Sequence, residues 1–138
     1  MNQLLRAGHT VTPQRRRIAQ ALLASDRALT AHELLARLSA SGPAVGLMTV
    51  YRTLALLGAV GAVYAIKDRH GDPGEGHYVF CSDRHHHHVI CTSCWRVWEV
   101  EGCGVAPAQQ QRVERATGVQ VEGHALDFFG TCQACRGA

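Results

Sequence analysis

His85-His86-His87-His88-Val89-Ile90-Cys91-Thr92-Ser93-Cys94 is the stretch on which the reading of the fold turns. It ends in a Cys-x-x-Cys pair, and Cys132-x-x-Cys135 repeats the spacing near the other end of the half it opens. Each pair sets two thiolates on a tight turn, and four thiolates complete a closed tetrahedral zinc site. Closed coordination leaves no position for a substrate, so the expected Zn2+ is structural. Free cysteines at coincidental spacing are the bland alternative, but two matched pairs account for four of the chain's six cysteines. A secreted chain would oxidise them to disulfides, whereas a cytosolic one more often gives them to a metal.

The histidine run that precedes the first pair is internal to the chain. In an extended strand side chains alternate between faces. His85 and His87 then point one way and His86 and His88 the other, and each pair needs one or two further ligands. Cys81 lies a few residues upstream and His124 far downstream. A solvated polar loop is the competing reading of the run.

Outward toward the N-terminus the pattern becomes helical. Thr12-Pro13 reads as an N-cap with proline in the first turn, and Ile18 and Leu22 follow at helical spacing. Thr30-Ala31-His32-Glu33 is a capping box, with Leu34, Leu35 and Leu38 behind it. Ser41-Gly42-Pro43 breaks the chain. A third helix is expected from about Gly46 to Leu57, with Val50, Leu54 and Leu57 on one face. Thr49, Tyr51 and Arg52 fall off that face and are the expected contacts to base edges and phosphate. Arg15, Arg16 and Arg17 would hold phosphates from the preceding helix. A merely solvated basic face is the alternative.

Two extended runs, Ala62–Ile66 and His77–Cys81, flank a polar, glycine-rich loop at 68–76. Helices followed by a hairpin make a winged helix-turn-helix. The chain therefore reads as α+β, with a winged-helix DNA-binding domain over 1–82 and a second domain over 83–138 that carries the four-cysteine zinc site. In that second domain His87–Cys91 and Val97–Val100 read as strands, Pro107 to about Ala116 as a helix ended by Gly118, and Val119–Gly130 as one or two strands. Charge divides the same way. Residues 1–70 hold nine Lys/Arg against three Asp/Glu, and residues 71–138 hold five against eight. A basic first half implies a polyanionic partner. No apolar run approaches the roughly 20 residues that span a bilayer, and the N-terminus lacks a signal-peptide core. A cytoplasmic location and no membrane partner are expected.

Together these motifs resemble the ferric uptake regulator family of metalloregulators. Thr12-Pro13-Gln14-Arg15, Thr49-Val50-Tyr51-Arg52-Thr53-Leu54, His85 to Cys94 and His124 to Cys135 all occur in the family's order and spacing. The resemblance implies a homodimer with an N-terminal winged helix and a C-terminal α/β dimerisation domain, closing on palindromic operator DNA when metal-loaded. Cys81 ahead of the histidines resembles the family's zinc-sensing branch, which implies a regulatory site of Cys81, His86 and His88. Tyr64 stands where that branch usually carries Asp or His, so the fourth ligand is expected from Asp68, His70, Asp72 or His77. Cys91, Cys94, Cys132 and Cys135 match the family's structural zinc site, and His85, His87 and His124 its third site. The acid expected near Ala106-Pro107 is missing, which leaves Glu101 as the expected replacement, with Glu99 and Cys103 as alternatives.

The function implied is repression of metal-uptake genes in response to zinc. Sensing of Mn2+, Fe2+ or peroxide within the same family is the nearest alternative. A zinc metalloenzyme is the rival outside it, but the chain has neither H-E-x-x-H nor H-x-E to supply a general base. A plain zinc-ribbon scaffold would leave the basic helical half without a purpose.

Overall fold

Thr12 and Thr30 start the first two long helices as their sequence dictates. A computed structural model describes residues 2–66, 76–81, 84–105 and 107–137, without the side chains of residues 2 and 3. The chain divides into two compact units, Met1–Asp83 and Arg84–Ala138.

In the first unit α1 (Asn2–Arg6) precedes α2 (Pro13–Leu23), α3 (Ala31–Ala40) and α4 (Leu47–Ala59). The Thr12 hydroxyl accepts the Arg15 N–H at 3.2 Å, and Pro13 opens α2. The capping box of α3 is complete: Glu33 N–H donates to Thr30 Oγ1 at 3.1 Å and Thr30 N–H to Glu33 Oε2 at 2.9 Å. Glu33 also accepts from Arg27 at 2.8 Å. Burial works to raise its pKa, but the hydrogen bonds from Arg27 and the Thr30 N–H outweigh that and hold it below the ordinary carboxylate value. Ile18, Leu22, Leu34, Leu38, Val50, Leu54 and Leu57 close one core. An antiparallel hairpin of β1 (Val63–Ile66) and β2 (His77–Phe80) follows, and Leu29 exchanges two backbone hydrogen bonds with Tyr78. α3, α4 and this hairpin are the expected winged helix-turn-helix.

The second unit is a three-stranded sheet of order β4-β3-β5. Its central strand β3 (His86–Cys91) pairs antiparallel with β4 (Val97–Glu101) and parallel with β5 (Asp127–Gly130). α5 (Pro107–Thr117) lies between β4 and β5 in sequence, and the short α6 (Gln133–Arg136) ends the unit. Of the expected strand run Val119–Gly130, only Asp127–Gly130 pairs. Residues 119–126 are a connection carrying Gly123, and they have no neighbouring strand edge among the described residues.

Candidate metal centres and the helical face

Strand register sorts the histidines. His88 lies opposite Glu99 on β4 and opposite Asp127 on β5, while His86 lies opposite Glu101. Partners directly opposite share a face, so His86, His88, Glu99, Glu101 and Asp127 occupy one side of the sheet. His87, opposite Val100, faces the other side with Val89, and Trp98 and Phe128 lie opposite Val89.

On the first side His86 Nε2 and His88 Nε2 are 3.2 Å apart, and Glu99 Oε1 is 3.6 Å from His86 Nε2. Asp127 Oδ1 sits 3.4 Å from His88 Nδ1, where it fixes the ring and leaves Nε2 to the pair. Burial, and then the neighbouring His86, hold the His88 imidazole below its ordinary pKa against the pull of Asp127. It is thereby kept in the neutral form that a metal requires. Of the four residues expected to supply the fourth ligand, one is described. Asp68, His70 and Asp72 lie outside the described residues, and His77 is in β2 with its Cα opposite Ile66. Glu99, placed by register, also stands beside the histidines. Cys81 belongs to the first unit; it is buried, its N–H donates to Ala62 O at 3.0 Å, and its thiol lies 3.9 Å from Val79 O.

The four-cysteine cluster is assembled from two turns. Cys91 ends β3, and Cys94 lies on the turn after it, where Trp95 takes a positive φ of 60°. Cys132 caps α6 and Cys135 lies within it. All four sulfurs lie within 4.8 Å of one another, and Cys94 and Cys132 are 3.9 Å apart. Tetrahedral zinc with Zn–S of about 2.3 Å requires sulfurs about 3.8 Å apart. The backbone N–H groups of Cys132 and Cys94 pull the Cys91 thiol down to about 6, and the Cys132 N–H lies 3.3 Å from its sulfur. Hydrogen bonds with Cys132 and Cys94, with burial behind them, push Cys135 up to about 12. A divalent ion held by the four sulfurs would displace the thiol protons.

A third cluster joins His85, His87, Cys103 and His124, again within 4.8 Å. The ring centroids of His85 lie 4.8 Å from His87 and 4.9 Å from His124. Glu101, expected here, is excluded by register. It lies opposite His86 on the other side of the sheet and is ion-paired with Arg84 at 2.7 Å. Gly102, at φ 90°, then turns the chain, a conformation costly for any residue with a Cβ. Cys103 lands 3.0 Å from His124 Nε2.

On the helical half, Met48, Arg52 and Ala55 form the exposed face of α4. Thr49 is half-buried and its carbonyl accepts from Thr53 at 2.7 Å. Tyr51 packs partly on the core, so it offers an edge rather than a free side chain. Arg16 is exposed, while Arg15 donates to Thr10 O at 2.6 Å. Arg17 donates to Leu38 O at 2.9 Å and Pro43 O at 2.7 Å. It therefore closes the end of α3 rather than reaching outward. Met48 escapes a sequence reading of this helix, because an apolar side chain carries no signal of exposure.

Comparison with known proteins gives a consistent picture. The model of the ferric uptake regulator family matches residues 6–129. A zinc uptake regulation protein of Mycobacterium tuberculosis is 38% identical over 130 residues, covering 94% of this chain and 97% of the relative. A ferric uptake regulation protein of Legionella pneumophila is 36% identical over 137 residues, covering 97% and 96%. Among solved structures, a zinc uptake regulator complexed with zinc and DNA superposes with a TM-score of 0.75 at 25% identity, covering 97% of this chain and 88% of that one.

Proposed function

The chain belongs to the ferric uptake regulator family, and from that premise we propose that it is a zinc-responsive repressor of metal-uptake genes. It acts in the cytoplasm as a homodimer on palindromic operator DNA and catalyses no reaction. No described helix is long and apolar enough to cross a membrane. The observation that carries the reading is the histidine pair: His86 and His88 hold their Nε2 atoms 3.2 Å apart with Glu99 beside them. Cys81 precedes His86 by five residues, so their Cα atoms are at most about 17 Å apart. We assign Cys81, His86, His88 and Glu99 to the regulatory metal and Cys91, Cys94, Cys132 and Cys135 to structural zinc. A thiolate beside imidazoles favours zinc over manganese or ferrous iron. The zinc- and DNA-bound relative supports the same choice.

Regulation follows by linkage. Cys81 lies near the end of the first unit and His86 near the start of the second, so a metal that engaged both would bind one arrangement of the units better than others. Shifting a mostly inactive population to a mostly active one takes differential binding on the order of 5 kcal/mol. Arg52 and Arg16 supply phosphate contacts, with Thr49, Tyr51 and Arg15 behind them.

A second reading rests on the two carboxylates near the histidines. If Glu99 and Asp127 serve the metal and Cys81 does not, the donor set is nitrogen and oxygen and suits manganese or ferrous iron. One experiment separates the readings. DNA fragments selected by the metal-loaded protein from a random pool are titrated in buffered zinc, manganese and ferrous iron, with wild type and Cys81→Ser. Zinc-driven binding that is lost in Cys81→Ser supports zinc sensing. An unchanged zinc response in that variant sinks it.

A further inference from the structure

We propose that Met48 reads a base: from the first turn of α4 its side chain meets the C5-methyl group of a thymine in the major groove and makes that position of the DNA site selective for thymine. The proposal rests on the DNA-binding reading above and adds a base contact to its phosphate contacts.

The placement comes from the helix itself. Met48 is the second residue of α4 and is 61% exposed. Val50, Thr53, Leu54 and Leu57 are buried, so the opposite side of the helix carries Met48, Arg52, Ala55 and Ala59, all exposed at helical spacing. In a helix-turn-helix the second helix of the pair lies in the major groove, and the residues at its N-terminal end touch base edges. Met48 is at that end. Arg52, one turn on, shares its stripe and is placed for phosphate.

The chemistry of the stripe points the same way. Polar side chains stand on the outward faces of α2 and α3: Gln14, Arg16 and Gln20 on one, His32, Arg37 and Ser39 on the other. α4 has a single charged residue, Arg52, and the rest of its outer stripe is Met48, Gly58 and alanine. A face that bound phosphate alone would gain nothing from an exposed methionine and would gain from further cations. The major groove has one apolar feature, the thymine methyl group, which helps set T·A apart from C·G there. An unbranched thioether adapts to such a small, recessed target, and Ala55 and Gly58 put no bulk between the helix and the groove. Tyr51, packed partly on the core, is less free to reach it.

DNA fragments selected from a random pool by the full, metal-loaded chain are the probe. Deoxyuridine then replaces thymidine at each position of the selected site in turn, in both half-sites together. The change removes the C5-methyl group and leaves base pairing intact. Burying one methyl-sized group changes affinity about fourfold, so at one thymine position the wild type should lose about fourfold for each half-site. In Met48→Ala the penalty at that position should vanish, while penalties at other thymines and the slope of affinity on salt stay as in the wild type. Met48→Leu, which keeps an apolar reader, should keep the penalty. Metal content and unfolding temperature should match the wild type in both variants, because the side chain is exposed. Penalties that are the same in Met48→Ala as in the wild type, or no penalty at any thymine, overturn the proposal. So does a change in the sedimentation of Met48→Ala with its DNA selectivity unaltered, which would give this face to a second copy of the chain. A random pool from which no fragment is enriched would instead remove the DNA-binding reading, and the role of Met48 with it.

Discussion

Arginines 15, 16 and 17 look alike in sequence and part company in the structure. Arg17 spends its guanidinium on two backbone carbonyls at the end of α3, whereas Arg16 and Arg52 are exposed. Arg17→Ala should lower the stability of the first unit by about 1–3 kcal/mol, because it strands carbonyls that a charged donor satisfied. Thermal and urea unfolding would measure it. Arg16→Ala and Arg52→Ala should leave stability within about 0.5 kcal/mol. Each should weaken DNA binding and flatten its salt dependence by roughly one unit. Reversed outcomes would mean that the phosphate-binding face has been misplaced. Glu33 carries a pH dependence of its own. Its folded pKa is depressed, so its contribution is full above the unfolded value of about 4.3 and fades as pH falls through the lower folded value. Glu33→Gln should destabilise the first unit by about 1 kcal/mol at neutral pH, with the gap to wild type closing in acid. A gap that is constant with pH would show that the charge contributes nothing.

At the level of elements, β3 does most of the organising. Its alternation sets His86 and His88 on one side of the sheet and His87 on the other, and its end delivers Cys91 to the four-cysteine cluster. That cluster closes only when α6 brings Cys132 and Cys135 back. Metal binding at such a site is folding free energy. Cys91→Ser should therefore lose zinc and the ordered tertiary signal of the second unit while the helical signal of the first persists. Metal analysis with near- and far-ultraviolet circular dichroism would check this, and a zinc-free variant with native near-ultraviolet dichroism would refute it. The β4–β3–β5 sheet also shows a strip of Trp98, Val100, Val89 and Phe128 on the side facing away from His86 and His88. Trp98, Val100 and Phe128 are 41%, 44% and 51% exposed.

For the whole molecule, the two units are built on different terms. The first owns a core of leucine, isoleucine and valine. The second has only His87, His88, Ile90 and Cys91 buried among its described residues. So small a core does not sustain a domain of this length alone, and such domains lean on metal or on a partner copy. The exposed strip of the sheet, with Val113 of α5 at 48% exposure, is the surface a second copy would cover. Phe128→Asp should shift the protein from dimer to monomer by sedimentation and lower the unfolding temperature of the second unit. A dimer of unchanged affinity would place the interface elsewhere.

Local chemistry decides much of this from the sequence alone. Thr12-Pro13 and the Thr30/Glu33 box start helices because their partners are three residues away, and the apolar period of α4 settles which side is buried. The paired Cys-x-x-Cys spacing and the period-two alternation of the histidines are likewise local, so four thiols and two imidazole faces are legible in the chain itself. Nothing local fixes which residue of another strand lies opposite a histidine. Register brings Glu99 to His86 and His88 and carries Glu101 to the wrong side for His85 and His87. A glycine with positive φ swings Cys103 round to His124. Pairing partners, and the burial that leaves His87 with two unsatisfied nitrogens, depend on contacts between residues far apart in the chain. The candidate donor clusters are therefore completed by the tertiary structure, while the types of side chain that could bind metal are already written in the sequence.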